Sequence, residues 1–264
     1  MVESIKNKER IDLLLVKKGL APTRTRARTL IMAGVVFVDS TRVDKAGIIV
    51  KEDAEILVKH STLGYVSRGG IKLEAALKEF RIDVVDKVVL DIGASTGGFT
   101  DCLLKHGAKK VYAVDVGYGQ LDWKLRQDPR VVVKERINAR YLKSEDIGEL
   151  VDVCTIDVSF ISLTKVIPPV SKILKPSGIL IALIKPQFEV GKGEVGKGGI
   201  VRDEKKHREV VSRIINFLEE LNFRILGVIT SPILGADGNK EFLVAGVFHP
   251  TLASFPDSEQ GFNL

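Results

Sequence analysis

The stretch Val89–Phe99, VLDIGASTGGF, decides how this chain folds. An apolar run ends there in a turn of small residues, and glycines in such a turn allow a ligand to approach the backbone closely. A second apolar run, Val111–Asp115, ends in a carboxylate 24 residues after Asp91 (115 − 91). In an open α/β sheet, a loop after one strand and an acid after the next hold a nucleoside, because the acid accepts hydrogen bonds from ribose hydroxyls. The two segments therefore predict a nucleoside-binding α/β sheet.

The spacing of the glycines in this turn indicates which kind of nucleoside ligand to expect. They stand at Gly93, Gly97 and Gly98, and Ser95 takes the place of the middle glycine in the dinucleotide fingerprint G-x-G-x-x-G. The sequence also has no G-x-x-x-x-G-K-S/T phosphate loop. These features favour a ligand without a pyrophosphate over NAD or ATP. An ordinary glycine-rich turn is the alternative, but together with Asp115 the pattern resembles motifs I and II of the class I S-adenosylmethionine-dependent methyltransferases.

Composition sets limits on the class of protein. The length of 264 residues allows two domains, and the net charge of +6 suggests a polyanionic partner. The two cysteines, Cys102 and Cys154, are too few for a disulfide framework or a metal cluster, and we expect buried thiols and no metal site. The first residues form no apolar leader, and no apolar run approaches the ~20 residues of a membrane helix. We therefore expect a cytoplasmic protein that does not enter a membrane.

Residues 1–60 are predicted to form a small α+β domain with a basic face. Apolar residues recur at helical spacing in two segments, and two later segments have the pattern of short strands. No acid stands among residues 17–28, and Arg24 and Arg28, four residues apart, share one helix face. Such a row of cations suits phosphates, although a solvated surface is the alternative interpretation. The candidate RNA-binding residues are Arg10, Lys17, Lys18, Arg24, Arg26, Arg28 and Arg68.

The same region resembles a known RNA-binding module. The segments Arg10–Asp12, Gly19–Ala21, Thr23–Arg28 and Gly34–Val38 are similar, in order and spacing, to the module named after ribosomal protein S4. In that family two helices with a basic face bind structured RNA. The resemblance implies that this domain does the same.

Residues 61–65 are predicted to be a linker and residues 66–264 a second domain. In the second domain strand-like and helix-like segments alternate, as in a doubly wound sheet. The predicted strands are 88–92, 111–115, 130–134, 152–157, 178–184, 223–230 and 241–248. The last two flank the turn Leu234–Asn239. We therefore expect a Rossmann-like class I methyltransferase sheet with a terminal antiparallel hairpin, preceded by the small α+β domain.

Charged residues stand where strands of this sheet are predicted to end. Asp157 ends one apolar strand, and Lys185 follows six apolar residues of another, at the edge where ligands sit in open parallel sheets. Lys72 in the preceding helix and Glu241 at the final strand would each be ordinary surface residues when considered alone. Together the four resemble, in order and context, the Lys–Asp–Lys–Glu tetrad of FtsJ-type ribose 2′-O-methyltransferases. The resemblance implies that Lys185 deprotonates or orients the ribose hydroxyl, that Lys72 and Glu241 hold its geometry, and that Asp157 lies between the lysines and the methyl donor.

The segment that follows Lys185 is rich in glycine. Residues 186–199 contain five glycines, which disfavours a helix. A mobile lid over the site and a plain flexible loop are both open interpretations.

Nearly the whole chain resembles the TlyA family, often labelled haemolysin A. The segments that carry this resemblance are Tyr65–Leu73, Asp91–Thr100, Asp115–Leu121, Asp157–Ser162 and Lys185–Gly191. It implies methylation of a cytidine 2′-hydroxyl in ribosomal RNA, in the large subunit and in some members also the small one. Matched positions place the cofactor S-adenosylmethionine against Gly93, Ser95, Gly97, Gly98, Asp115, Asn138 and Asp157. In this arrangement Asp115 contacts the ribose and Asn138 the adenine.

Two alternatives belong to other classes of protein. One is a membrane-active haemolysin, as the family label suggests, and the other is an RNA-binding protein with an inactive methyltransferase fold. The lack of a membrane span and of a basic amphipathic helix with aromatic anchors disfavours the first, and the intact tetrad disfavours the second. The sequence leaves open the target nucleotide, the choice of ribosomal subunit and the oligomeric state.

Overall fold

The computed structural model describes residues 8–21, 23–32, 34–58, 64–191, 193–235 and 238–250. Residues 61–63 of the predicted linker lie outside these ranges. So do the ends of the two predicted domains, residues 1–7 and 251–264.

The N-terminal part consists of two helices packed on short strands. Its elements are β1 (Lys8–Arg10), α1 (Ile11–Lys17), α2 (Arg24–Met32), β2 (Val36–Val38), β3 (Thr41–Val43), β4 (Ile49–Lys51) and β5 (Ile56–Val58). Strand β1 pairs with β4, and β2 lies between β3 and β5, all antiparallel. Ile11, Leu15, Ala27 and Ile31 are fully buried between the helices and strand β2. This arrangement confirms the predicted small α+β domain.

The remaining elements alternate as the sequence predicts. They are α3 (Gly69–Glu79), β6 (Val88–Ile92), α4 (Gly98–Lys105), β7 (Lys110–Asp115), α5 (Trp123–Arg126), β8 (Val131–Glu135), α6 (Ser144–Ile147), β9 (Val151–Ile156), α7 (Ile167–Ser171), β10 (Leu174–Ile184), α8 (Pro186–Glu189), α9 (Glu204–Glu220), β11 (Phe223–Thr230) and β12 (Phe242–Phe248). Short 3₁₀ helices lie at Ala139–Tyr141, Leu163–Lys165 and Lys197–Gly199.

The strands form one seven-stranded sheet in the order β11-β12-β10-β9-β6-β7-β8. Strands β10, β9, β6, β7 and β8 are parallel, whereas β12 runs antiparallel to both of its neighbours, β10 and β11. The predicted antiparallel hairpin is therefore confirmed, with Thr230 opposite Phe242 at its turn. Because β12 is antiparallel, its first residue lies beside Ile184, the last residue of β10.

Helices cover both faces of this sheet. Leu73 of α3 and Leu103 of α4 pack with Val89 on one face, while Ile214 of α9 packs with Leu90 on the other. Neighbouring residues of β6 thus face opposite sides, as strand geometry requires. The sheet is doubly wound, and the expected fold class is confirmed.

The two cysteines are buried within this core. Cys102 and Cys154 are both free thiols with no exposed surface. Burial raises the pKa of Cys102 to about 12 and raises that of Cys154 as well. Both are therefore inert thiols, as predicted. Within the part of the chain that the structure describes, no helix has the length and apolar character needed to cross a membrane.

The segment after β10 differs from the prediction. The sequence indicated a region without helix, but Pro186–Glu189 forms a one-turn helix, α8. Proline fits the first turn of a helix because its missing N–H has no partner there in any case. The glycines that disfavour a helix come only after this turn, so the prediction was wrong for its first four residues.

Candidate active site

The loop after β6 is built around two glycines in left-handed conformations. Gly93 has φ of +81°, and a Cβ there would collide with the backbone carbonyl of Asp157. Gly97 has φ of +94°, and a Cβ there would collide with the side chain of Leu125. Any other residue at these positions would combine backbone strain with a clash. The glycine pattern in the sequence therefore reflects close packing of the loop on β9 and α5.

Asp115, the last residue of β7, holds this loop from the other side. One carboxylate oxygen accepts a hydrogen bond from the amide of Ser95 at 2.8 Å, and the other accepts from the amide of Gly117 at 2.7 Å. Each oxygen keeps a second lone pair, which can accept from a ligand hydroxyl. The side chain therefore shapes the loop and can also bind a ribose.

Asp91 lies beneath the same loop and is fully buried. It accepts hydrogen bonds from the hydroxyls of Thr100 at 2.6 Å and Thr155 at 2.9 Å. Burial raises its pKa to about 6, although both hydroxyls act in the opposite direction. Asp91 thus links β6, α4 and β9 under the loop and does not reach a ligand.

Asn138 is exposed and follows β8. Its side-chain oxygen accepts from the amide of Arg140 at 3.1 Å and caps the 3₁₀ helix Ala139–Tyr141. It does not line the cleft that contains the four tetrad residues. Its predicted contact with the adenine stays a prediction.

The four residues of the predicted tetrad line one cleft of about 340 Å³ at the carboxyl ends of the parallel strands. They form two ion pairs. Lys72 Nζ lies 2.5 Å from Glu241 Oε2, and Lys185 Nζ lies 2.5 Å from Asp157 Oδ1. Gly93, Ser95 and Gly98 of the glycine loop line the same cleft, whereas the cofactor candidates Gly97 and Asp115 do not. The structure thus brings the catalytic candidates next to part of the predicted cofactor site.

Both lysines stabilise the negatively charged form of Asp157. Burial alone would raise its pKa, but the positive charges of Lys185 and Lys72 outweigh that effect and lower it. The backbone carbonyl of the same residue lies against Gly93. Asp157 therefore stands between the lysines and the glycine loop, and it carries a negative charge at neutral pH.

Ser159 and Phe160 line this cleft and were not among the residues predicted from the sequence. Lys185 Nζ donates a hydrogen bond to the hydroxyl of Ser159 at 2.9 Å. Phe160 is 91% exposed, has φ of +63°, and lies 4.9 Å from the ring of Phe188. An exposed ring of this kind can stack on a nucleobase. The signal in the sequence was an aromatic residue three positions after a strand-ending acid.

Three of the predicted RNA-binding cations converge on a single acid. Arg10, Arg24 and Arg28 all form ion pairs with Asp12, at 3.0, 2.9 and 3.2 Å between nitrogen and oxygen. Asp12 is fully buried, whereas the arginine side chains are about half exposed. The prediction from residues 17–28 overlooked this acid because it lies on the preceding helix. The arginines form an ordered cluster whose outer edges remain open to phosphates.

The other predicted cations have separate environments. Lys17 pairs with Glu52 at 2.9 Å, and Lys18 donates to the backbone carbonyl of Ala54. Arg26 pairs at 3.0 Å with Asp122, which belongs to the second domain. An RNA contact of Arg26 would have to compete with that pair.

Arg68, unlike the other predicted RNA-binding cations, lines the cleft that holds the four tetrad residues. It precedes α3. Its predicted contact with RNA, like those of the other cations, stays a prediction.

A doubly wound sheet with a glycine loop after its first strand, an acid at the end of the second and the antiparallel strand β12 between β10 and β11 is the architecture expected of a class I methyltransferase. The chain belongs to the FtsJ-like methyltransferase family, which residues 65–248 match, and residues 9–56 match the S4 domain. Both expectations from the sequence are confirmed.

Named relatives agree with the expected TlyA resemblance. The chain is 54% identical, over 90% of its length and 85% of the relative's, to a Bacillus subtilis protein provisionally named the rRNA methyltransferase YqxC. It is 46% identical, over 89% of its length and 88% of the relative's, to the 16S/23S rRNA (cytidine-2′-O)-methyltransferase TlyA of Mycobacterium tuberculosis. A solved Streptococcus thermophilus structure, provisionally named a hemolysin, superposes with a TM-score of 0.72 at 46% identity, covering 92% of this chain and 90% of that one.

Proposed function

We propose that this protein transfers the methyl group of S-adenosylmethionine to the 2′-hydroxyl of a cytidine in ribosomal RNA. One observation carries the proposal: two lysine–carboxylate pairs lie in a single cleft beside a glycine loop. The names of relatives that cover most of the chain support the choice of cytidine and of ribosomal RNA.

The residues present fit the methyl donor. Asp115 offers free lone pairs to the two ribose hydroxyls, and the glycine loop leads from it to the cleft. Because Gly93 lies against the backbone of Asp157, the loop that would hold the donor lies beside the carboxylate that pairs with Lys185. When bound, S-adenosylmethionine supplies an electrophilic methyl group.

The chain's own residues prepare the acceptor. A ribose hydroxyl must lose its proton as the new carbon–oxygen bond forms, and general-base help to such a step contributes ~10²–10⁴ in rate. Lys185, held by Asp157 and Ser159, is the group placed to orient the 2′-oxygen and to stabilise the negative charge that develops on it. It takes the proton itself only in its neutral amine form, since an ammonium has no lone pair to accept with. Lys72 and Glu241 form the second pair and keep another positive charge beside the same carboxylate.

The N-terminal domain supplies the RNA contacts in this proposal. Its arginine cluster presents half-exposed guanidinium groups that Asp12 holds in fixed positions. Fixed guanidinium groups match phosphates well, since less side-chain freedom is lost on binding. The proposed partners are ribosomal RNA and ribosomal subunits, which would place the protein in the cytoplasm.

The test measures transfer of labelled methyl from S-adenosylmethionine to purified, unmodified ribosomal subunits. Wild type is compared with Lys185→Ala and with Lys175→Ala as a matched control. Lys175 also pairs with an aspartate, Asp152 at 2.7 Å, but at the opposite end of β10. We expect alkali-resistant label at one position with wild type and Lys175→Ala, and a loss of about 10²-fold or more with Lys185→Ala.

Other outcomes would contradict the proposal in distinct ways. No label on either subunit, with cofactor still bound, would mean that the substrate is wrong. No cofactor binding would favour an RNA-binding protein with an inactive fold. Leakage of dye from liposomes at concentrations that give no methyl transfer would favour the membrane-active alternative.

A further inference from the structure

Helix α2 of the S4 domain forms an ion pair with the methyltransferase domain. Arg26 Nη1 lies 3.0 Å from Asp122 Oδ2, and the two side chains are 38% and 16% exposed. Arg26 belongs to the segment that matches the S4 domain, and Asp122 belongs to the segment that matches the FtsJ-like family. This cation of the predicted basic face therefore has its acidic partner in the other domain, 96 positions along the chain.

Asp122 belongs to the segment that supports the glycine loop. Its backbone amide donates a hydrogen bond to the carbonyl of Thr96, in that loop, at 3.2 Å. Its second carboxylate oxygen, Oδ1, accepts from the amide of Lys124 at 3.0 Å and so caps the start of α5. Asp122 is therefore bound to the S4 domain, to the glycine loop and to helix α5.

Apolar side chains on either side of Asp122 pack against the same loop. Leu121 and Leu125 are buried, and they lie so close to Gly97 that a Cβ there would collide with both. The S4 domain reaches this segment at a second point, because a Cβ at Gly119 would stand 3.7 Å from the methyl carbon of Thr25, an ordinary contact distance. Residues 119–125 thus contact both helix α2 and the loop that is predicted to hold the cofactor.

We propose that Arg26 is a positioning residue for the S-adenosylmethionine loop: by pairing with Asp122 it holds residues 119–125 against the glycine loop. The inference rests on the function proposed above and extends it, because it gives the S4 domain a part in cofactor binding as well as in RNA binding. Since a phosphate would have to displace Asp122 from Arg26, this cation is assigned to the cofactor loop and not to RNA.

The first experiment measures the affinity of the full-length protein for S-adenosylmethionine by calorimetry, without RNA. Because half-exposed ion pairs contribute little, we expect Arg26→Ala to weaken this affinity by about two- to fivefold. Arg26→Glu, which places two like charges together, should weaken it further.

Arg130→Ala is the matched control for this measurement. Arg130 also pairs with an aspartate, Asp128 at 2.8 Å, and its side chain is 44% exposed. It precedes β8, at the edge of the parallel strands opposite to the glycine loop. We expect Arg130→Ala to bind the cofactor as tightly as wild type.

A double-mutant cycle tests whether Arg26 acts through Asp122. Asp122→Asn removes the charge but keeps a side-chain oxygen that can cap α5. In this background Arg26→Ala should have almost no further effect on cofactor affinity. The difference between wild type and Arg26→Ala should also shrink at about 1 M salt, where charges are screened over about 3 Å.

Two further readouts separate positioning from a general loss of structure. In the cofactor-free protein, hydrogen exchange should be faster at the amides of Ser95 and Asp122 in Arg26→Ala, whereas exchange in the core strand β6 should not change. Single-turnover methyl transfer by Arg26→Ala at saturating cofactor should return to within about twofold of wild type, because the loss is in cofactor binding. Its affinity for ribosomal subunits should stay within the same range.

Several results would overturn the inference. They are a wild-type cofactor affinity in Arg26→Ala, an equal loss in Arg130→Ala, or the same effect of Arg26→Ala with and without Asp122→Asn. Weaker binding of ribosomal subunits with an unchanged cofactor affinity would also overturn it and would assign Arg26 to the RNA-binding face. Failure of the wild-type protein to bind S-adenosylmethionine would instead refute the proposed function, so the two failures are distinguishable.

Discussion

The carboxylate of Glu189 accepts a hydrogen bond from the hydroxyl of Ser162 at 2.6 Å and another from the amide of Leu163 at 2.8 Å. These contacts join the segment after β9, which begins at Asp157, to the segment after β10, which begins at Lys185. Glu189 is buried, and burial raises its pKa although both hydrogen bonds act against this. Glu189 therefore holds together the two segments that carry Asp157 and Lys185.

Replacing Glu189 by alanine should slow methyl transfer much more than it weakens cofactor binding. The change leaves the buried amide of Leu163 without its partner, which costs about 1–3 kcal/mol of unfolding free energy. Glutamine keeps one carbonyl acceptor and should have a smaller effect. Single-turnover rates, cofactor affinity by calorimetry and urea unfolding test this. Glu194→Gln, in the exposed segment that follows, is the control, and an equal loss of rate in both variants would contradict the prediction.

Single and double substitutions of the Lys72–Glu241 pair should differ in folding stability but not in the loss of methyl transfer. Lys72→Met leaves the buried Glu241 carboxylate without its partner, and such a loss costs about 3–5 kcal/mol. The double variant Lys72→Met, Glu241→Leu removes both charges and should recover most of the unfolding free energy. Methyl transfer should be lost in both. Urea unfolding followed by a methylation assay decides: an active double variant would refute a catalytic role for the pair.

Substitution of Asp115 by alanine should weaken the binding of S-adenosylmethionine. The loss of hydrogen bonds to a charged group, worth about 1.5–3 kcal/mol, corresponds to roughly a 10- to 100-fold weaker affinity for S-adenosylmethionine. Transfer at saturating cofactor should fall much less. Isothermal calorimetry measures the affinity, with Asp128→Asn as the control because Asp128 pairs with Arg130 outside the cleft. Equal affinities in wild type and Asp115→Ala would exclude the predicted ribose contact.

Asp12 should stabilise the N-terminal domain in a pH-dependent way. Hydrogen bonds and charges from Arg10, Arg24 and Arg28 hold its pKa well below the usual range, in spite of burial. A carboxylate with a lowered pKa stabilises the folded state above the pKa of the unfolded chain, about 3.9 for aspartate, and loses that contribution as the pH falls further. Asp12→Asn should therefore cost about 2 kcal/mol at neutral pH. Urea unfolding at neutral pH and at successively lower pH should show the difference between the two proteins shrinking below about pH 4.

Much of the fold could be predicted because its signals are local. Apolar runs marked the strands, and the end of each run marked the carboxyl edge of the sheet where Asp157 and Lys185 stand. Strand β10 was the exception, since it begins at Leu174 and not at residue 178. Leu174 pairs with Val151 ahead of a register shift, and the intervening residues gave no strand signal.

The pairings within the site could not be predicted from local signals. Lys72 and Glu241 are 169 positions apart, and only the antiparallel insertion of β12 brings them together. Glu189 gave no signal because its partners lie on a different loop. Asp44 and Arg68 line one cleft only because of the way the two domains pack, which no period or motif encodes.

The position of β12 in the chain also determines when, during synthesis, all four tetrad residues are present. This strand enters the sheet between β10 and β11, both of which precede it in the chain. Glu241 immediately precedes β12, so the tetrad lacks a member until almost all described residues have been synthesised. A nascent or truncated chain that ends before residue 241 has two unpaired strand edges and no partner for Lys72. The candidate catalytic site thus stays incomplete during synthesis until β12 can enter the sheet.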